Sequence, residues 1–329
     1  ARDEPLIPAT PSPRVRAVFT AMVASMTRRK FHAVRLARGS REVLAQVDGG
    51  ERPALVVLNH AAWWDPIVAL LAWRAFFPSR PPFGPIDRGE LMRFRIFRKV
   101  GLFGVDPDDP ATLPAMRAYL EEEARRSPRL ALVVTPQGHF ADVRDEVVPR
   151  PGAAAVAAGL APDRAVSIAV EYGFWVDQKP EIFLRAEPIE CPAAGRGGEG
   201  TLAWQRRITA AMRRNQAELA LLVRARDGAA FEPLSAQFAP KVSGTNPVYD
   251  LWMRLTGRGS AALGEAVGDH GEVGGEPRAD MGYAGHGRVR LPFSHREAFS
   301  SVVVRPSVGI AVPAGGRLHV WGCCGERTP

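Results

Sequence analysis

Buried-strand patterns alternate with helical patterns along most of this chain. Short apolar runs bounded by turn residues predict strands, and amphipathic or Ala-rich stretches between them predict helices. The predicted strands are residues 53–58, 102–105, 130–135, 165–171 and 181–187, and the predicted helices are residues 15–36, 65–77, 91–100, 111–126, 152–160 and 201–226. Because strands that alternate with helices build helix-covered sheets, the sequence predicts an α/β fold.

Composition narrows the class of protein. The chain has 329 residues, of which 46% are hydrophobic and 24% charged, so it can bury a full core and is not disordered throughout. No apolar run approaches the roughly 18 residues of a membrane-spanning helix, and the first residues lack a signal-peptide pattern. Three Cys are too few for a disulfide scaffold or a four-ligand zinc site, which fits a reducing cytoplasm.

The charge balance points to an anionic partner. The net charge is +8, and only four of the 43 basic residues are Lys. Arg suits phosphate, whether in a substrate, a lipid surface or nucleic acid. Biased composition is the alternative explanation, since Ala, Gly and Pro are abundant as well. No nucleic-acid-binding motif accompanies the charge, so no nucleic-acid partner is expected.

Three segments are predicted from shifts in composition. Residues 1–13 are rich in Pro and are expected to form a loose arm, and residues 14–256 form the main domain. The remaining segment, residues 257–329, contains 15 of the 32 Gly. Its apolar residues follow neither the helical nor the strand period. This tail is expected to be disordered, or to be a non-native reading frame, and a chain ending near Thr256 is expected to keep its fold and activity.

The first predicted helix is amphipathic and basic. Its apolar residues fall on one face: Val15, Val18, Phe19, Met22, Val23 and Met26. Cations flank that face, including Arg28, Arg29 and Lys30. Two interpretations stay open: the helix lies on an anionic membrane, or it packs on the core with a solvated basic end.

The chemically informative segment follows the first predicted strand. His60 lies just past the strand, and Asp65 opens the next helix. A loop His accepts a proton near neutral pH, and a carboxylate can hold its other ring nitrogen. On spacing alone, the favoured explanation is that Asp65 caps the helix and His60 is an ordinary loop residue.

Taken with its context, this segment resembles the glycerolipid (lysophosphatidic acid type) acyltransferase family. Asn59-His60-x4-Asp65 after an apolar strand resembles the family's first motif, in which His is the catalytic base and Asp its partner. The segment Thr135-Pro-Gln-Gly-His-Phe140 is similar to the end of the later motif Phe-Pro-Glu-Gly-Thr-Arg. Residues 148–156 and 165–172 resemble the Gly-led helix and apolar strand that come next.

The resemblance implies a mixed central sheet wrapped by helices and a set of site residues. His60 and Asp65 are expected to be catalytic, and the expected substrate-binding residues are Asn59, Arg88, Pro136, Gln137, Gly138, His139 and Arg144. The implied donor is acyl-CoA or acyl carrier protein, and the acceptor a hydroxyl of a lysophospholipid or other lipid or glycolipid. No metal or cofactor is implied. The protein is expected on the cytoplasmic face of a membrane, as a peripheral protein on its anionic surface.

Two departures from the family pattern bear on the acceptor. Gln137 stands where the family has Glu, and the second motif, Gly101-Leu-Phe-Gly-Val-Asp-Pro107, lacks the Arg that reads a phosphate. Glycerol-3-phosphate derivatives are therefore expected to be poor acceptors. The Pro-Gln-Gly variant with Phe140, Asp142 and Arg144 resembles a bacterial branch described broadly as lysophospholipid acyltransferases.

The implied mechanism needs no protein nucleophile. His60 removes the acceptor proton as the oxygen attacks the thioester, and a backbone N–H near Gly138 stabilises the oxyanion. The absence of Gly-x-Ser-x-Gly argues against an α/β-hydrolase. Three roles stay open for Trp63 and Trp64: they line the acyl site, they insert at the membrane interface, or they pack as structural residues. The alternatives are a thioesterase, or a non-catalytic lipid- or protein-binding relative.

Overall fold

A nine-stranded sheet organises the computed structural model, which describes residues 6–109, 111–175, 177–192 and 200–240. The strands are β1 (Leu6–Ile7), β2 (Val34–Ala37), β3 (Ala54–Leu58), β4 (Pro82–Asp87), β5 (Leu102–Val105), β6 (Ala131–Val134), β7 (Arg164–Gly173), β8 (Glu181–Pro188) and β9 (Phe231–Pro233). The helices are α1 (Pro13–Lys30), α2 (Ser40–Asp48), α3 (Asp65–Phe76), α4 (Arg88–Arg93), α5 (Ile96–Val100), α6 (Thr112–Arg126), α7 (Gly152–Leu160) and α8 (Thr201–Ala225).

The sheet is mixed, which confirms the predicted fold class. Its order is β1-β5-β4-β6-β3-β7-β8-β2-β9. The central strands β5, β4, β6, β3 and β7 run parallel, as do β2 and β8, whereas β1 is antiparallel to β5, β8 to β7, and β9 to β2. Parallel neighbours bring the carboxyl ends of β3, β4 and β6 to one edge of the sheet.

Helices cover both faces of the sheet. All five side chains of β3 are buried, and they alternate between two hydrophobic clusters. Val56 and Leu58 pack with α1, α2 and α3, while Leu55 and Val57 pack with α6, α7 and α8. The two-residue period of a strand explains why a continuous apolar run serves both layers.

The first helix is shorter than the periodicity predicted. It ends at Lys30, because Phe31 adopts an extended conformation, and residues 34–37 form β2 between β8 and β9. Val34 and Leu36 fit both the helical and the strand period. Residues 34–37 become a strand because β8 and β9, which are distant in sequence, pair with them. Strand β4 is also not among the strands that the sequence predicts, because Pro82 and Pro85 are poor strand residues.

One face of α1 packs on the core and the opposite face is exposed, so the structure fits the second interpretation for the inner face and leaves the first open for the outer face. Val23 is buried, and Phe19 and Met26 pack against the core, while Arg28, Arg29 and Lys30 are exposed. Val18 and Met22 remain exposed on the outer side. No helix in the described ranges is long and apolar enough to cross a membrane.

The predicted loose arm is wrong for residues 6–12. Leu6 and Ile7 pair with Val105 and Gly104 of β5, and the amides of Thr10 and Ser12 donate to carbonyls at the end of α5. The predicted tail, residues 257–329, lies outside the described residues and stays a prediction.

Candidate active site

Two loops meet at the carboxyl edge of the sheet. Strands β3 and β6 pair in register, with Val57 opposite Val134, so the loops that follow them are neighbours. The His60 amide donates to Gln137 Oε1 at 2.9 Å, and the Ala141 amide donates to the His60 carbonyl at 2.8 Å. The two sequence segments that carry the family resemblance therefore form one site.

His60 and Asp65 form a directly bonded pair. Nδ1 of His60 lies 2.8 Å from Oδ2 of Asp65. A carboxylate can only accept, so Nδ1 carries the proton and the lone pair of the neutral ring lies on Nε2. Nε2 makes no hydrogen bond to any described residue, and the His60 side chain is 19% exposed. His60 is thus arranged as a base with its reactive nitrogen available.

Asp65 is fully buried and has three donors. Besides His60, the Ala62 amide donates to Oδ2 at 2.9 Å, and the Tyr172 hydroxyl donates to Oδ1 at 2.6 Å. The carboxylate does not cap α3, because none of its three donors is an amide of that helix. The capping explanation of Asp65 is therefore wrong.

Tyr172 is a site residue that the sequence analysis did not single out. It lies near the end of β7, and its ring packs against Phe31 with centroids 6.1 Å apart. Burial raises the pKa of the Tyr172 phenol far above its usual range, and the adjacent Asp65 carboxylate raises it further. The hydroxyl stays protonated and donates to Asp65 at any pH where the protein works.

Aromatic rings surround the catalytic pair. Phe140 lies 4.4 Å from the His60 ring between centroids and is 58% exposed. Trp63 is 63% exposed and meets Trp64 edge-on, while Trp64 packs against Phe31. Trp64 is thus a packing residue, whereas Trp63 and Phe140 present apolar surface at the site.

Asn59 has a structural role in place of the predicted substrate contact. Its side chain is buried; Nδ2 donates to the Val170 carbonyl at 2.9 Å, and Oδ1 accepts from the Val170 amide at 2.7 Å. Both polar atoms therefore tie the end of β3 to β7.

The Pro136–His139 loop differs in part from expectation. Gly138 has φ +71°, which favours glycine, and its amide donates to the Thr135 carbonyl at 3.1 Å. That amide is engaged within the turn, so Gly138 is not the predicted oxyanion donor. Pro136 is buried, and its carbonyl accepts from the Arg150 amide, while His139 is exposed.

The two predicted cations differ in their surroundings. Arg88 begins α4 directly after β4, at the same edge of the sheet as His60. Arg144 is exposed and forms a bidentate pair with Asp142 at 2.6 and 2.7 Å. This pair lowers the pKa of Asp142 and raises that of Arg144. Exposed pairs of this kind contribute little, so an anion can compete for Arg144.

Metal-ligand geometry is not found in the described part of the chain, where no three His, Cys, Asp or Glu side chains cluster. Cys191, the one cysteine in that part, lies just after β8, and burial raises its pKa to about 11. It is therefore a poor thiolate nucleophile.

Comparisons with known proteins include a distant structural likeness. No protein-family model matches the chain, and no curated protein matches it. Among solved structures, it is similar to the 1-acyl-sn-glycerophosphate (LPA) acyltransferase PlsC from Thermotoga maritima, with a TM-score of 0.42 and 15% identity over 62% of this chain and 81% of that one. The functional argument therefore comes from the geometry of the site.

Proposed function

We propose that this protein is a lipid acyltransferase. It moves a fatty acyl group from an acyl thioester, on coenzyme A or acyl carrier protein, to a hydroxyl of a lysophospholipid or another lipid acceptor. The observation that carries the proposal is the His60–Asp65 pair, whose buried carboxylate holds Nδ1 and leaves Nε2 available.

The chemistry follows from these positions. Nε2 of His60 takes the proton of the acceptor hydroxyl as its oxygen attacks the thioester carbonyl. Asp65 stabilises the imidazolium that forms, and Tyr172 and the Ala62 amide hold Asp65 in place. When the carbon–sulfur bond breaks, the imidazolium returns the proton to the thiol that leaves. The acceptor itself is the nucleophile, which agrees with the raised pKa of Cys191.

The surroundings of His60 favour a lipid acceptor. Trp63 and Phe140 present exposed aromatic surface beside the base, which suits an acyl chain better than a polar metabolite. The side-chain oxygen of Gln137 accepts a hydrogen bond from the His60 amide, and the neutral side chain brings no positive charge to the site. This supports acceptors other than glycerol-3-phosphate derivatives. A lipid acceptor and an acyl-CoA or acyl carrier protein donor together imply a peripheral position on the cytoplasmic membrane face.

Substitution of His60 tests the proposal. His60→Ala should reduce transfer from a radiolabelled acyl thioester to a lysolipid panel by at least about 100-fold, since general-base catalysis contributes that much. Asp65→Asn should lose similar or less activity. Both variants should keep their circular dichroism spectra.

A second His–Asp pair provides the matched control. Nδ1 of His32 lies 3.2 Å from Oδ2 of Asp177, and both side chains are buried but lie outside the site. His32→Ala should lower the melting temperature without lowering the specific activity. Wild-type transfer by folded His60→Ala would contradict the proposal. If free fatty acid is released and no acceptor suppresses that release, the protein is a thioesterase. If the wild type shows no turnover at all, it is a binding protein.

A further inference from the structure

A surface formed by α1 and residues 88–99 combines exposed apolar side chains with exposed cations. Five large apolar side chains on it are between 42% and 72% exposed: Val18, Met22, Met92, Phe94 and Ile96. We call these residues, with Arg93 and Arg95 between them, the α1–α5 surface. Arg93 and Arg95 are exposed as well.

Ring contacts hold the two parts of this surface together. Phe19 of α1 meets Phe97 of α5 edge-on at 5.9 Å, and Phe97 lies 5.6 Å from Phe94. Val18 adjoins Phe19 in α1, and Ile96 adjoins Phe97 in α5. A packed aromatic layer therefore joins α1 to residues 94–97, and exposed apolar side chains lie next to it in the sequence of both segments.

The charge of these two segments is strongly positive. Residues 13–30 and 88–99 contain ten Lys and Arg against one acid, Glu90, a net charge of +9 in a chain whose total is +8. The Arg93 guanidinium lies 5.0 Å from the centre of the Phe94 ring, so cation and apolar group share one spot. The basic excess is therefore local, which biased composition alone does not explain.

We propose that the α1–α5 surface docks the protein onto an anionic lipid bilayer. Met92, Phe94 and Ile96 would enter the boundary between headgroups and acyl chains, while Arg93 and Arg95 bind lipid phosphates. Nucleic acid offers phosphates too, but it would leave the aliphatic side chains Val18, Met22 and Ile96 in water.

The placement of this surface connects it to the site. Helix α4 begins directly where β4 ends, at the sheet edge from which the His60 loop emerges. The loops that carry the exposed Trp63 and Phe140 leave the sheet at this same edge, so we place the bilayer beside them. This last step rests on the proposed function, because it assumes that the acceptor is a lipid in that bilayer.

Co-sedimentation of the full chain with vesicles tests the proposal. Wild type should bind phosphatidylcholine vesicles that contain phosphatidylglycerol at low salt, and bind pure phosphatidylcholine far less. Arg93→Gln with Arg95→Gln should weaken binding by about tenfold or more. Met92→Ser with Phe94→Ser and Ile96→Ser should weaken it by a similar factor with an unchanged melting temperature.

Matched controls lie on α8, which covers the other face of the sheet. Leu202→Ser with Leu221→Ser, and Arg206→Gln with Arg224→Gln, change equally exposed side chains and should bind as wild type. His60→Ala should also bind as wild type, so a failure of the acyltransferase proposal is distinguishable from a failure of this one.

Three results would overturn the proposal: no wild-type binding to anionic vesicles at low salt, equal losses in the α8 controls, or self-association that the α1–α5 substitutions abolish while vesicle binding persists. Binding to duplex DNA that exceeds binding to vesicles, and that the same substitutions abolish, would overturn it in favour of nucleic acid.

Discussion

At the residue scale, Asp65 is the centre of the site. It is fully buried yet accepts from a ring nitrogen, a backbone amide and a phenol. A buried carboxylate is costly unless its lone pairs are used, and here three of them are. The same bonds that make its burial tolerable also fix the ring of His60, so stability and geometry have a common origin.

Tyr172 is expected to act as a positioning residue through Asp65. Tyr172→Phe removes the donor to Oδ1 and leaves the ring that packs on Phe31. We expect transfer to fall by about tenfold through kcat, with little change in KM, since one hydrogen bond to a charged group contributes about 1.5–3 kcal/mol.

A control variant separates positioning from general packing. Tyr119→Phe removes a phenol that lies away from the site, where it accepts from the Ala9 amide at 3.1 Å. This control should leave kcat unchanged. An equal loss of kcat in both variants would argue against a specific role for Tyr172.

At the element scale, the site depends on how β3 and β7 are joined. Their backbones pair through Leu58 and Ile168, and Asn59 extends the join by one more pair of hydrogen bonds to Val170. This side chain substitutes for strand pairing at the point where the chain turns away to form the His60 loop. The join brings Asp65 within reach of Tyr172.

Asn59→Ala should therefore destabilise the protein. It leaves the buried amide and carbonyl of Val170 without partners, at a cost of about 2–4 kcal/mol in the free energy of unfolding. Chemical denaturation measures this, and Asn215→Ala, which removes another buried Asn bonded to strand backbone, should lose a similar amount. Unchanged stability together with a raised KM for the acceptor would restore the predicted substrate contact.

At the scale of the whole molecule, β1 closes one edge of the sheet. Gly104 lacks a side chain, and a Cβ there would lie 3.2 Å from Ile7 and 2.9 Å from Leu91, so the glycine admits β1 and α4 together. Leu6 is buried in the cluster that also contains Phe103. Residues 6–12 thus belong to the folded body.

Removal of residues 1–12 should lower the melting temperature and promote aggregation. The truncation uncovers the hydrogen-bonding edge of β5, which can then pair with other chains. Leu6→Ser in the full chain is the companion variant, since it removes the buried side chain and keeps the strand backbone. A truncated chain that stays monomeric and melts like the wild type would contradict this role.

The amino-acid sequence by itself determined those features whose information is local. Periodicity and turn residues located β3, α3, α7 and the later strands. The spacing from His60 to Asp65 left a helix cap as the alternative, and the resemblance of both loop motifs to one family favoured the pair, which is bonded in the structure. The two loops are themselves joined by the hydrogen bond from the His60 amide to Gln137.

Only the tertiary structure decided the features whose partners are remote. Val34–Ala37 becomes a strand because β8 and β9 lie beside it, and Pro82–Asp87 because β5 and β6 do. Tyr172 reaches Asp65 across 107 positions of sequence, and Asn59 bonds the backbone of Val170 across 111 positions. Propensity acts within a few residues, whereas strand pairing and buried hydrogen bonds are decided by which distant groups the fold brings within about 3 Å.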